Sequence, residues 1–586
     1  MRYPTLSVQS TSRAMTLEFR GYNHNTLTAD GEWYGMTNLT SARYPMLSAR
    51  DPRGIVQTMT DPHGLAAKDA LAWVDGTKLY YNGAETGLTL QADGVKQMVS
   101  MGAYLVIFPD KKYINTAELS EYGSIDAAFT ADTSGNPVTM TICKQDGSAY
   151  AEPSLSEPEN PSGGELWIDT SVTPCVLKQY SASSAMWVQI PTVYTKISCA
   201  GIGSAFAEYD GVQIDGLAYS GESEIVQSQI KDLCGSKIIY SRGDNYIVVV
   251  GLLSVSVTQE TGTVTVQRKA PDMDYVCEAQ NRLWGCKYGV VDGKPVNELY
   301  CCKLGDFKNW NCFMGLSTDS WAASIGSDGA WTGAINYLGY PTFFKENVLH
   351  RISVSSTGAH QVSDTVCRGV QKGSWQSLQV VGEVLYYKSR TDVCAYDGSL
   401  PAGVSEALGG EKYYSAVAGH FGRRYYISMQ DAGGAWNLFV YDTEKNLWHR
   451  EDNTRALCFT RCDDSLYMID GENRLVDVCG VNGTKEGDFA WEAVSGIQYY
   501  QYPDKKYISR YNLRLYMPAG STMTLYMQYD SDGIWHEQGS VSMQGTGTFT
   551  FPVAPRRCDH MQMRLTGTGP FKLFSIARIL EQGSDM

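Results

Sequence analysis

Only 19% of the 586 residues carry a charge and eight are histidine, and there is no Lys/Arg run and no long apolar run. Each scarcity removes a class of function. Without clustered cations the chain lacks the electrostatic footprint that tight nucleic-acid binding needs. The longest apolar stretch, YIVVVGLLSV from Tyr246, is too short to span a bilayer and reads as a buried strand, so no membrane insertion is expected. The first residues, MRYPTLSVQSTSRAMTLEFRG, contain no apolar segment of signal-peptide type. The histidines form no HxH or HExxH and the cysteines no CxxC, and neither a phosphate-cradling P-loop nor a GxSxG elbow occurs. No metal, no cofactor and no catalytic residue is therefore expected. The fifteen cysteines are odd in number and irregularly spaced, Cys301-Cys302 and Cys458/Cys462 being the closest pairs. They read as free, mostly buried thiols, which fits assembly in a reducing cytoplasm.

Long stretches of helical period are also nearly missing. What fills the chain instead is 58 glycines, 38 tyrosines and 13 tryptophans in short strand-like runs separated by Gly/Asp/Asn turns. The cadence starts in KDALAWVDGTKLYYNGAETGLTL (Lys68 to Leu90) and repeats from Gln97. It resumes from Asp274 and Ser320, and again from Ser374, Tyr413 and Arg455. A unit of about 40–45 residues is the period of a four-stranded propeller blade. A stack of immunoglobulin-like sandwiches would give longer, less uniform spacing. The fold class that follows is all-β: a β-propeller of degenerate four-stranded blades with an inserted β-rich domain and a C-terminal β-sandwich. The boundaries read as an N-terminal arm over 1–34, propeller over 35–130, the insertion over 131–269, propeller again over 270–488, and the sandwich over 489–586. Within the insertion, LWIDTSVTPCVLKQYSASSAMWVQI reads as a hairpin pinned by Trp167 and Trp187.

A propeller raises the question of glycoside hydrolysis, which needs two converging carboxyls or a Tyr/Glu pair with arginines. The candidates are Asp306, Asp319 and Asp328, the run Arg423-Arg424-Tyr425-Tyr426, and HREDN (His449 to Asn453). None has a decisive spacing. SDGAW (Ser327 to Trp331) and SDGIW (Ser531 to Trp535) are like the Asp-box turn but shorter, and such turns are structural. YDSDG (Tyr529 to Gly533) opens like a calcium loop without its closing acid and reads as a hairpin turn. In the stretch from Leu304 to Gly333, Gly305, Asp306 and Asn309 read as a loop leaving one blade and Trp310 and Trp321 as packing anchors. Asp328 and Gly329 read as the hairpin turn of the next blade. Trp331 and Trp448 take the same packing role.

FRGYNHN (Phe19 to Asn25), NRLWG (Asn281 to Gly285), LGDFKNWN (Leu304 to Asn311), IGSDGAWTG (Ile325 to Gly333), FFKEN (Phe343 to Asn347) and CDHMQMRLTGTGP (Cys558 to Pro570) resemble tail proteins of bacteriophages. The resemblance is to the β-propeller proteins described as packaged-DNA stabilisation or tail-nozzle proteins of short-tailed phages, and it leaves out the insertion. It implies a virion component of the tail that forms a ring, a hexamer, with copies of itself. The partners it implies are the portal adaptor and other tail proteins or fibres, with double-stranded DNA passing without sequence recognition. The formal net charge of −15 suits a surface past which DNA slides. The alternative function is a carbohydrate-binding or glycoside-hydrolysing propeller acting on the host surface.

Overall fold

A computed structural model describes residues 11–355, 358–500 and 505–582. The turn-punctuated runs form four-stranded antiparallel sheets strung in order along the chain, which are the blades of a β-propeller. Among the described residues there are seven such runs, over 62–89, 97–124, 275–324, 333–366, 379–403, 413–452 and 456–477, the sixth continuing through Gly21–Tyr22 and Glu32–Thr37 into a ten-stranded sheet and the seventh belonging to a five-stranded one. The last run supplies only three strands. Its fourth is Gly54–Thr58, which pairs antiparallel with Arg474–Asp477. The chain divides into two compact units, one of 1–98, 329–352 and 362–586, the other of 99–328 and 353–361.

Within the first unit the fourth, fifth, sixth, seventh and first blades follow one another by side-chain packing. Tyr337, Phe344 and Leu349 meet Leu385, Tyr387 and Tyr396 between the fourth and fifth. Tyr386 and Tyr425 bring ring centroids to 5.6 Å between the fifth and sixth. Gly419 faces Phe459 between the sixth and seventh, so closely that a Cβ on residue 419 would lie 2.5 Å from that of Phe459. Met59, Trp73, Ile469 and Leu475 close the seventh onto the first. Two serine hydroxyls add polar stitches: Ser374 Oγ accepts from Ala416 N at 3.0 Å and Ser428 Oγ from Ala456 N at 3.1 Å.

The C-terminal β-sandwich belongs to the same unit. Lys506–Met517 pairs with Gly545–Pro552 and Lys572–Gln582, while Thr522–Tyr529 pairs with His536–Val541 and Met561–Thr568. Alternate side chains of Thr522–Tyr529 are buried, as a period of two requires of a sheet with one face on a core. The N-terminal boundaries read from the sequence need correction. Glu32–Thr37 pairs with Ala490–Ser495, and Leu47–Ala49 with Lys572–Gln582, so residues 32–49 are sandwich and not arm or propeller. The arm's first ten residues lie outside the described ones.

In the second unit the second and third blades share a core of Val106, Phe108, Val276, Leu283, Phe307 and Trp310. The insertion leaves from Ala127–Asp132 and returns through its pairing partner Thr263–Arg268. Its two larger sheets bury Val138, Met140, Ile197, Ile214, Ile247 and Val264 with one helix, Glu224–Leu233, which contributes Val226, Ile230 and Leu233. Where a hairpin is expected, Leu166–Asp169, Val176–Ser181 and Met186–Gln189 form a three-stranded antiparallel sheet, in which Trp167 and Trp187 meet edge to face at 5.4 Å. All fifteen cysteines are unpaired. Burial pushes the thiols of Cys301 and Cys312 up to about 11, and that of Cys302 higher, which makes them poor nucleophiles. No described helix is long and apolar enough to cross a membrane.

Ile469 is fully buried where the seventh blade meets the first. Ile469→Ala is expected to lower unfolding stability by about 2–5 kcal/mol in denaturant titration, and a loss within error of zero would contradict the packing described.

Candidate functional site

The aspartates of this chain hold turns. At the ends of second strands, Asp75 accepts from the amides of Thr60 and Asp61, Asp431 from Gly433 and Ala435, and Asp470 from Glu472 and Arg474. At the ends of third strands, Asp442 accepts from Glu444 and Lys445, and Asp477 from Cys479, Gly480 and Asn482. In all but Asp75, whose partners lie 14 and 15 residues earlier, a short carboxylate reaches amides two to five residues on, the chemistry that makes Asp a turn residue.

Two of the three candidate acids of the Leu304–Gly333 stretch, Asp306 and Asp319, likewise accept from backbone amides. Asp319 is buried and accepts from the amides of Met314 and Leu316, capping the loop it closes. Arg282, also buried, stitches that loop to its own strand through the carbonyls of Cys302, Ser317 and Asp319 at 2.6–2.8 Å. Gly305 has φ +75 and donates to Asn281 O. Asp306 accepts from Lys308 N at 3.1 Å. Asn309 is fully buried and ties the third blade to the insertion, donating to Tyr209 O at 2.7 Å and accepting from Gly211 N at 3.2 Å. Trp310 is buried, with Nε1 donating to Phe307 O. Trp321 begins the fourth strand of the third blade and meets Trp284 edge to face. Asp328 and Gly329 are not a hairpin turn. They lie in an exposed link between the strands Trp321–Ser324 and Gly333–Tyr337, and Asp328 makes no hydrogen bond to the described residues. Trp331 is buried against Phe343 and His350, with Lys345 Nζ 4.5 Å over its ring. SDGIW does form a turn, in which Asp532 accepts from Ile534 N.

Asp306 lines a cavity of about 500 Å³ with Tyr104, Tyr113, Phe307 and Lys308. Burial raises its carboxyl above the usual range, and Asp210 adds to the rise. Asp210 itself is spoken for. It is paired with buried Arg268 and accepts from Ala207 N, while Arg268 also donates to Ile125 O, so this pair fastens the ends of the insertion.

The HREDN segment is a buried charge network. Arg53 reaches Glu451 at 2.6 Å and Asp452 at 2.9 Å, and Arg50 pairs with Glu486. Burial works against the Asp452 charge, but Arg53, Thr454 and Arg50 hold its carboxyl below the usual range. His449 is buried and neither ring nitrogen makes a hydrogen bond. Burial, with Arg424 beside it, depresses its pKa to about 3. Although Glu451 Oε1 lies 4.0 Å away, that carboxylate is taken up by Arg53 and does not hold a proton on the ring. Arg423 is exposed, Arg424 is half-buried beside Asp442, and Tyr425 donates to Ser377 O from full burial. Trp448 donates to Val404 O at 2.7 Å.

One cavity was not visible in the sequence. About 490 Å³ opens among the first strands of the first, fourth, fifth, sixth and seventh blades. Its functional groups include His63, Lys96, Trp375, Gln376, Trp436 and Arg455, and among the described residues no Asp or Glu lines it. The sequence signal was absent because these six come from five separate segments. No group of His, Cys, Asp and Glu suited to a metal occurs among the described residues.

No protein-family model and no curated protein matches the sequence. Among solved structures, the exo-β-1,3-galactanase of Phanerochaete chrysosporium with galactose aligns over 52% of this chain and 95% of its own, at 7% identity and a TM-score of 0.22. A glycoside hydrolase aligns over 51% and 96% at 11% identity and 0.19. A chain from a Saccharomyces cerevisiae Dbp5 complex with Nup159 and Gle1 aligns over 74% and 95% at 6% identity and 0.20. Likenesses at such TM-scores carry no weight for fold or function.

Two outcomes test these assignments. Asp319→Ala strands buried amides and is expected to cost about 1–3 kcal/mol of unfolding stability; an unchanged denaturation midpoint would contradict the capping role. Below pH 6.5 the unfolded chain protonates residue 449 while the folded chain does not until about pH 3, so folding stability falls as pH drops through that window. His449→Gln is expected to flatten the fall by up to about 1.4 kcal/mol per pH unit. An identical slope in pH-dependent unfolding would contradict a buried neutral histidine.

Proposed function

We propose that this chain is a structural virion protein of a bacteriophage tail. In this reading it forms a nozzle or hub ring below the portal and its adaptor, contributes to the DNA channel, retains packaged DNA and anchors other tail proteins or fibres. The motifs that resemble phage tail proteins supply the class. The observation that carries the reading is the commitment of all the candidate acids but the exposed Asp328 to backbone and arginine: Asp319 caps a loop, Glu451 and Asp452 hold Arg53, and Asp306 closes a turn. A two-carboxylate hydrolysis would need a pair of free acids on one cavity with room for substrate; the first-strand cavity has none among its described lining residues, and in the cavity that Asp306 shares with Asp210 the second acid is taken up by Arg268. The net charge of −15 is consistent with a wall that repels passing DNA.

The test is the particle. Native mass spectrometry of the purified chain and cryo-electron microscopy of intact virions are expected to find a ring, a hexamer, in the tail below the portal. A monomer absent from virions would contradict the proposal.

A further inference from the structure

The cavity among the first strands carries a feature that packing alone does not require. Three of the first strands on its border are bulged there. His63 is the extra residue between the Pro62–Asp75 and Gly64–Val74 pairs, and Leu457 the extra residue between Ala456–Asp470 and Cys458–Ile469. In the sixth blade the register shifts between Tyr414 and Val417, with Ser415 held at φ +53. His63, Ser415 and Leu457 all line the cavity. Bulges re-aim side chains and gather beside sites, and a left-handed serine is backbone strain that the surrounding sheets must hold in place.

The wall is chemically one-sided. Arg455 is exposed, has no carboxylate partner among the described residues, and sets its guanidinium 5.2 Å from the Trp436 ring. Lys96 and His63 are already engaged, Lys96 Nζ donating to Asp93 O at 2.7 Å and His63 Nε2 lying 3.0 Å from Asp61 Oδ2, so the charge offered to a ligand is that of Arg455; the indoles of Trp375 and Trp436 add flat apolar faces. With no acid on the described wall to pair with a cationic ligand, the complement is an anion. A guanidinium fork matches a carboxylate in two parallel hydrogen bonds, and an indole face matches the C–H face of a pyranose ring. A volume of about 490 Å³ falls within the range of small-molecule sites.

We propose that this cavity binds a carboxylated saccharide, the carboxylate on Arg455 and the sugar ring against the indoles of Trp375 and Trp436. No bond is made or broken in this step. The site is independent of the tail assignment, because it resides in one folded chain and is tested on that chain alone.

Isothermal titration and saturation-transfer NMR on the full chain, with galacturonate, tri-galacturonate, N-acetylneuraminate, neutral galactose and acetate as probes, test it. At least one sugar acid is expected to bind about tenfold or more tightly than galactose and than acetate. Binding to the monosaccharide acids marks a site for a single residue or chain end, and preference for the trimer marks an internal segment of a polymer. Arg455→Gln is expected to weaken binding about tenfold or more, with Arg455→Lys intermediate. Trp436→Ala is expected to weaken it while leaving the circular dichroism spectrum and Tm unchanged. Equal binding of galactose, equal binding of acetate, no binding by the folded wild-type chain, or undiminished binding by Arg455→Gln would each overturn the proposal.

Discussion

The fourth strand of the seventh blade comes from the other end of the chain, and much of the first unit is built around keeping it there. Gly54–Thr58 pairs with Arg474–Asp477 through a ladder that no local segment could supply. A Cβ at residue 54 would lie 1.8 Å from Asn482 O, so only glycine lets this strand meet the backbone of the turn that follows Asp477. Asp477, fully buried, accepts from three amides of the turn that follows it. Arg53, immediately before the strand, is fastened to Glu451 and Asp452 of the sixth blade. Burial opposes the guanidinium charge, but its two carboxylates outweigh that and make Arg53 harder still to deprotonate. Removing one member of such a network leaves buried charge uncompensated, so its parts are mutually dependent.

That dependence explains where the polar side chains went. Aspartates at strand ends satisfy turn amides, the Arg53 network holds the joint, and Arg282 and Asn309 hold the long loop of the third blade from within the second unit. With acids so employed, the first-strand cavity is left with donors and indoles on its described wall. A site that looks poor for hydrolysis is thereby well composed for holding an anion.

The local features were readable from the sequence because they are encoded locally. The blade cadence, the Trp167/Trp187 contact and the period-two strands of the sandwich each need only neighbouring residues. What could not be read depends on distant partners. Trp33 pairs with Ser495 and Gly54 with Asp477, more than 400 positions away, and nothing within residues 32–58 distinguishes a sandwich strand from a blade strand. The helix Glu224–Leu233 shows its apolar face only at Val226, Ile230 and Leu233, too short a pattern to stand out. Asp328 has the residue type of a turn but sits in a link, because Trp321–Ser324 completes one blade before Gly333–Tyr337 begins the next. Asp306, Asp319 and HREDN looked like chemistry because sequence shows an acid without its partner amides or arginines.

Native-state hydrogen exchange resolved at residues 54–58 and 474–477 tests the central claim most directly, since it reports whether the two segments open as one unit. The amides of both strands are expected to exchange together and only through the largest opening of the first unit, and Arg53→Gln is expected to accelerate both alike. Fast exchange of 54–58 while 474–477 stays protected would contradict the account, because the borrowed strand would then be an ornament on a blade that holds without it.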